Sequence, residues 1–304
     1  MKSIKRWAFA TFILCFLVII AGGVVRTTQS GMGCPDWPKC FGKWIPPTNA
    51  SELPADFEKY LRKQDIDHTF NALHTWIEYI NRLFGVLLGL FAVIQSGLLF
   101  FKRKENKKSF RLALAFLLVV ILTGLFGAIV VKLNLAHASI SFHLLFAILL
   151  VQVQLALMLS LQLKLSSLSI DNKVKNMLLL FLILLFCQSI LGTMVRMYVD
   201  DVSKTLHYEQ RETWLASTPI AFLIHRSFSW VVFVYAGYMV WYCRKYDAIK
   251  KGLFIVGSIV LLSMITGIVL FYADMPAIAQ PIHLLLASLG ITQTMAVLLK
   301  IKSK

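Results

Sequence analysis

The chain has 304 residues, 58% of them hydrophobic, and a mean hydropathy of +0.72, which excludes a soluble domain with a hydrated surface. Its net charge of +16 does not describe a nucleic-acid-binding face. Much of it sits in five short segments that hold a single aromatic, Tyr246, between them: KSIKR at 2–6, KRKENKK at 102–108, DNKVK at 171–175, RKYDAIKK at 244–251 and KIKSK at 300–304.

Apolar runs of about 20 residues, each long enough to cross a bilayer as a helix, recur along the chain. They predict eight spans at 7–26, 74–101, 111–131, 139–163, 176–196, 219–243, 252–272 and 280–299. The expected fold class is therefore an all-α integral membrane protein. The first run is longer than a signal-peptide core and no small-x-small cleavage signal precedes the polar segment, so it reads as a retained helix. Lys/Arg excess marks cytoplasmic connections. This places both termini in the cytoplasm of a cell whose cytoplasmic (inner) membrane holds the protein, with lipid as its surroundings and no nucleic acid as partner. A long loop at 27–73 and a shorter one at 197–218 then face outward.

The two halves, 1–165 and 166–304, echo each other. GGVVRTT ends span 1 and LGTMVRM ends span 5; EYINRLFGVLLG opens span 2 and FLIHRSFSWVVF opens span 6. LTGLFGAIV and MITGIVLFY lie in spans 3 and 7, and SFHLLFAILL and PIHLLLASLG in spans 4 and 8. Four correspondences in the same order predict a parallel repeat, and hence two pseudo-symmetric four-helix bundles.

The polar residues inside these spans are candidates for function, because ionisable groups are costly there. His225 and His283 sit near the starts of spans 6 and 8, and His143 holds the matching place in span 4. They either hydrogen-bond across helices or ligate one haem iron from facing helices; imidazole suits iron, and bundle interiors hold cofactors. Zinc has no evident third or fourth ligand there. Arg26, Arg82, Arg196 and Arg226 fall at outward helix ends, against the positive-inside bias. They either snorkel or pair with an anion, and haem propionates fit a bidentate guanidinium. Glu78 lies four residues before Arg82, while the corresponding place in the second half is Phe222. It is either one member of a helix-surface pair or a carboxylate facing a pocket, where it accepts a proton or stabilises positive charge. Cys34 and Cys40 bracket Pro-Asp-Trp-Pro-Lys. In an outward loop a disulfide is the preferred reading; a metal pair lacks a second pair of ligands. His68, His137 and His207 read as solvated loop residues.

Together GGVVRTTQSGMGCPDWPKCFG, IEYINR, LGTMVR, IHRSFS and PIHLLLAS resemble the haem A synthase family of bacteria and mitochondria, over essentially all eight spans. The resemblance implies oxidation of the ring position 8 methyl group of haem O to a formyl group, through two successive hydroxylations and loss of water, for haem-copper terminal oxidases. It implies a haem b cofactor in the second half on His225 and His283; the reading of the arginines as propionate partners then puts Arg196 and Arg226 on that haem. It implies a substrate haem site in the first half using Glu78 and His143, where the same reading of the arginines puts Arg26 and Arg82 on the propionates, and it maps the family's cysteines to Cys34 and Cys40. Haem O synthase and cytochrome oxidase assembly factors are the partners it implies, and a homo-oligomer is compatible with it. One residue departs from the pattern: the family's Glu-x-x-His-Arg reads Glu78-Tyr79-Ile80-Asn81-Arg82. Asn81 is a poor iron ligand beside imidazole, and His74 stands two turns, about 10 Å, earlier. The preferred reading is a substrate iron held by His143 alone; ligation by His74 or His137 after rearrangement, or a changed activity, are the alternatives. A membrane b-type cytochrome serving only electron transfer would explain His225, His283 and the arginines but not Glu78 and the unequal halves; a proton-coupled transporter with histidine relays would hold no chromophore.

Overall fold

The computed structural model describes residues 1–62, 70–162 and 168–302; His68 lies outside them. Nine α-helices occur among the described residues: α1 (Lys2–Thr27), α2 (Glu58–Leu61), α3 (Ala72–Phe100), α4 (Lys107–Lys132), α5 (His137–Ser160), α6 (Asn172–Thr205), α7 (Ile220–Cys243), α8 (Asp247–Tyr272) and α9 (Ala279–Leu298). All but the one-turn α2 are long and apolar enough to cross a membrane, so this is an all-α integral membrane protein with eight candidate spans. A two-residue parallel ladder, β1 (Leu168–Ser169) with β2 (Ile301–Lys302), does not alter the class.

The chain forms two compact units, Met1–Leu161 and Gln162–Lys304. In the first, α1 packs on α3 and α5, α3 on α4, and α4 on α5; in the second, α6 packs on α7 and α9, α7 on α8, and α8 on α9. Apolar contact alone gives little specificity among helices in lipid, where packing and interhelical hydrogen bonds decide. The first unit supplies such bonds at full burial: Gln95 and Gln154 exchange amide bonds of 3.0 and 2.9 Å, and Gln154 Nε2 also donates to the Ala8 carbonyl at 2.8 Å. That ties α1, α3 and α5 together. Trp7 stacks on Phe91 at 4.4 Å and donates to its carbonyl.

Helix ends follow local chemistry. Asn71 caps α3 by accepting the His74 N–H, and Asp171 caps α6 by accepting that of Lys173. α1, α4, α6 and α8 end alike, with backbone bonds closing over five residues: Ser30 to Val25, Leu135 to Val130, Tyr208 to Ser203 and Met275 to Leu270. Left-handed residues close each end: Gln29, Asn134, His207 and Asp274. This is the Schellman closure, here made without glycine. Two expectations need correction. α6 runs nine residues past its predicted end at 196; the Arg196–Asp200 pair at 3.4 Å lies one turn apart and suits continued helix. His137 is not a loop residue but opens α5.

Candidate functional site

In the second unit, α7 begins after Pro219 and carries His225 in its second turn; α9 carries His283 at the corresponding height. Their ring centroids are 6.4 Å apart, with ring planes at 72°. Two imidazoles on opposite sides of one metal, each bound at about 2 Å with roughly 1.2 Å from nitrogen to ring centre, need nearly that separation. Glycines make the seats. A Cβ on Gly192 of α6 would stand 3.2 Å from His225 Cε1, and one on Gly267 of α8 would stand 3.4 Å from His283 Cε1. Gln188 Nε2 donates to the His225 carbonyl at 3.2 Å. His225 Nδ1 and Gln188 Oε1 are buried without a hydrogen-bond partner, an arrangement that usually means something else belongs there. Among the described residues no three His, Cys, Asp or Glu side chains converge. The pair is thus a two-imidazole donor set, which fits an iron whose remaining ligands come from a porphyrin.

Around it, Arg196 pairs with Asp200, and the guanidinium of Arg226 lies 5.6 Å from the ring centre of Phe222. Phe222 itself stacks on Phe271 at 4.8 Å, within a cluster that includes Val199, Trp214, Leu215 and Met275.

The first unit uses the same places differently. His143 of α5 lies over Gly127 of α4, with Cε1 3.5 Å from where a Cβ would be; the Gly127–His143 and Gly267–His283 spacings along the chain are equal. On α3, Glu78 is 4% exposed and both of its oxygens are engaged. Oε2 accepts the Cys34 backbone N–H at 2.7 Å, and Oε1 accepts from Arg82 Nε and Nη2 at 3.2 and 2.5 Å. Arg82 also donates to the carbonyls of Cys34 (2.7 Å), Asp36 (2.6 Å) and Lys39 (2.9 Å). All five of its N–H groups are therefore used inside the protein, and a propionate at Arg82 would have to displace a loop carbonyl.

The loop so gripped is the cysteine loop. Cys34 and Cys40 form a disulfide, and Asp36 accepts the N–H groups of Phe41 and Gly42. Thr75 Oγ1 bonds the Gly33 carbonyl at 2.9 Å, and the Tyr79 hydroxyl donates to the Trp44 carbonyl at 2.8 Å. Phe41 is fully buried among Leu53, Phe57, Tyr60, Phe70 and Tyr79. Gly33 sits so near α3 that a Cβ would fall 2.3 Å from the His74 carbonyl oxygen. Half-exposed Asn81 on the same helix makes no side-chain hydrogen bond among the described residues, and Arg26 is half-buried in the last turn of α1.

The structure thus joins Glu78, Arg82, Cys34 and Cys40 in one cluster and His225 with His283 in another. Reading the residues alone missed Thr75, Gly33, Gln188 and the three glycine seats. The signal for the seats was present: Gly192 and Gly267 each lie in one of the repeated stretches, LGTMVRM and MITGIVLFY.

The sequence profile of the cytochrome oxidase assembly protein family (COX15-CtaA) matches residues 5–295. A protein of Bartonella tribocorum named heme A synthase is 24% identical over 318 residues, covering 93% of this chain and 87% of the relative. Proteins with the same name from Bartonella quintana and Shewanella oneidensis are 34% and 31% identical over 136 and 135 residues. Those alignments cover 42% and 44% of this chain, and it spans only 37% and 38% of those two relatives' lengths.

Proposed function

Since this chain belongs to the cytochrome oxidase assembly protein family, we propose that it is a haem A synthase. It oxidises the ring position 8 methyl group of haem O to a formyl group for assembly of a haem-copper terminal oxidase. The observation that carries this reading is the unequal use of one helix position. Where the second unit has Phe222 stacked on Phe271, the first has Glu78, a buried carboxylate held by Arg82 and the Cys34 N–H. An electron-transfer cytochrome has no need of that difference.

His225 and His283 are the residues that hold a haem b, with Arg196 and Arg226 beside its propionates. Bound there, that group supplies one-electron transfer. In the first unit His143 holds the iron of the substrate haem, and Asn81 leaves its other axial side without an imidazole, so product leaves more easily; His74 stays at the capped start of α3. Arg26 takes a propionate, because Arg82 is committed to the cysteine loop. Glu78 accepts protons released at the methyl carbon or stabilises positive charge there, in a site that the docked loop shields from water. The protein works in the cytoplasmic membrane with both termini inside, receiving haem O from a haem O synthase and delivering product toward oxidase assembly.

The test is expression in a host that makes haem O but lacks haem A, followed by haem extraction. Haem A in the extract is the expected result. Haem b alone would make the protein a b-type cytochrome, and no haem at all would favour a transporter. Glu78→Ala should abolish haem A while haem b stays bound; a normal haem A yield would remove Glu78 from the chemistry.

A further inference from the structure

We infer that Thr266 is a positioning residue for His283, fixing which imidazole nitrogen is left free to bind metal. The inference rests on the reading of His225 and His283 as haem ligands. Thr266 Oγ1 lies 2.9 Å from the Ser263 carbonyl oxygen and 2.9 Å from His283 Nδ1. A hydroxyl has one hydrogen, and a carbonyl oxygen only accepts. The hydrogen therefore goes to Ser263, and Oγ1 turns a lone pair toward His283. Nδ1 must then carry the proton, which leaves the Nε2 lone pair available as ligand.

The next residue completes the seat. Gly267 has no side chain, so the Cε1 edge of the ring rests 3.4 Å from where a Cβ would be. Thr266-Gly267 is thus a two-residue cradle, one residue setting the tautomer and the other the ring position. The partner ligand has only half of this: His225 lies on Gly192, but its buried Nδ1 has no acceptor. In the first unit Gly127 lies under His143, yet the residue before it is Phe126, packed on Phe146 at 4.7 Å, which offers no acceptor. Next to its glycine seat the second unit thus places a hydroxyl where the first places an aromatic ring.

The experiment compares the purified full-length protein with Thr266→Val, which keeps the shape and loses the hydroxyl, and Thr266→Ser, which keeps the hydroxyl. Redox titration, CO binding to the reduced protein and haem retention are measured on each. Loss of the hydrogen bond weakens the donor strength of His283, so Thr266→Val is expected to raise the haem b midpoint potential and to admit CO at the iron. It should also lower haem affinity by about 10- to 100-fold, while Thr266→Ser matches the parent. Complete haem loss in Thr266→Val with retention in Thr266→Ser supports the inference equally. The inference is overturned if Thr266→Val equals the parent in all three measurements, or if Thr266→Ser is as impaired as Thr266→Val. A parent protein without low-spin bis-histidine haem would defeat the functional reading itself, and this inference with it.

Discussion

Arg82 shows how far one side chain's role depends on its neighbours. As a lone arginine at a helix end it invites an anionic ligand, yet here it bridges a buried carboxylate and three loop carbonyls. Removing one partner of a buried ion pair costs about 3–5 kcal/mol, because the remaining charge stays desolvated. Arg82→Ala should therefore destabilise the first unit by that order and expose residues 35–60 to protease. Arg82→Lys should behave almost as badly, since an ammonium cannot reproduce the planar fork. Equal thermal stability and equal protease resistance in both variants would show that the loop is held by other contacts. The pairing of Glu78 with Arg82 was visible as a spacing of four residues. The three carbonyls were not, because backbone acceptors leave no mark in a sequence.

At the scale of elements, the decisive contact is the seating of the cysteine loop on the start of α3. Gly33 touches helix backbone, with the His74 carbonyl oxygen 2.3 Å and the Thr75 nitrogen 2.7 Å from where its Cβ would be. Backbone on that side cannot yield, so Gly33→Ala must lift the loop and weaken the Cys34–Glu78 bond. Gly31 is a natural control: the atoms nearest its Cβ would be those of the Leu135 side chain, from 3.1 Å, and a leucine tip can shift. Gly33→Ala should cut haem A formation and stability together, while Gly31→Ala should cost clearly less of both. Reversal of that order, measured by thermal unfolding and product yield, would refute the tight docking. The spans themselves were legible because continuous apolar length is a one-dimensional property. The true end of α6 was not: acidic and basic residues after 196 read as loop, and only their pairing on one helix face shows otherwise.

For the molecule as a whole, the two units are compact bodies in which equivalent positions carry different chemistry. Variants should sort accordingly. His225→Ala and His283→Ala should each lose the low-spin haem b signal while the disulfide loop of the first unit stays protease-resistant. His143→Ala should keep that signal and lose the ability to retain added haem O. A spectrum of haem b unchanged by His283→Ala would refute the ligand assignment.

By itself the amino-acid order determined the membrane class, the eight spans, the doubled pattern and the identities of the suspect histidines, arginines and cysteines, because hydropathy, spacing and repetition are read along a line. The tertiary structure alone decided what those residues touch: the 6.4 Å approach of His225 to His283, the hydroxyl behind His283 and the complete engagement of Arg82. Such contacts join residues far apart in the chain, and their energies depend on distances and angles that only packing sets.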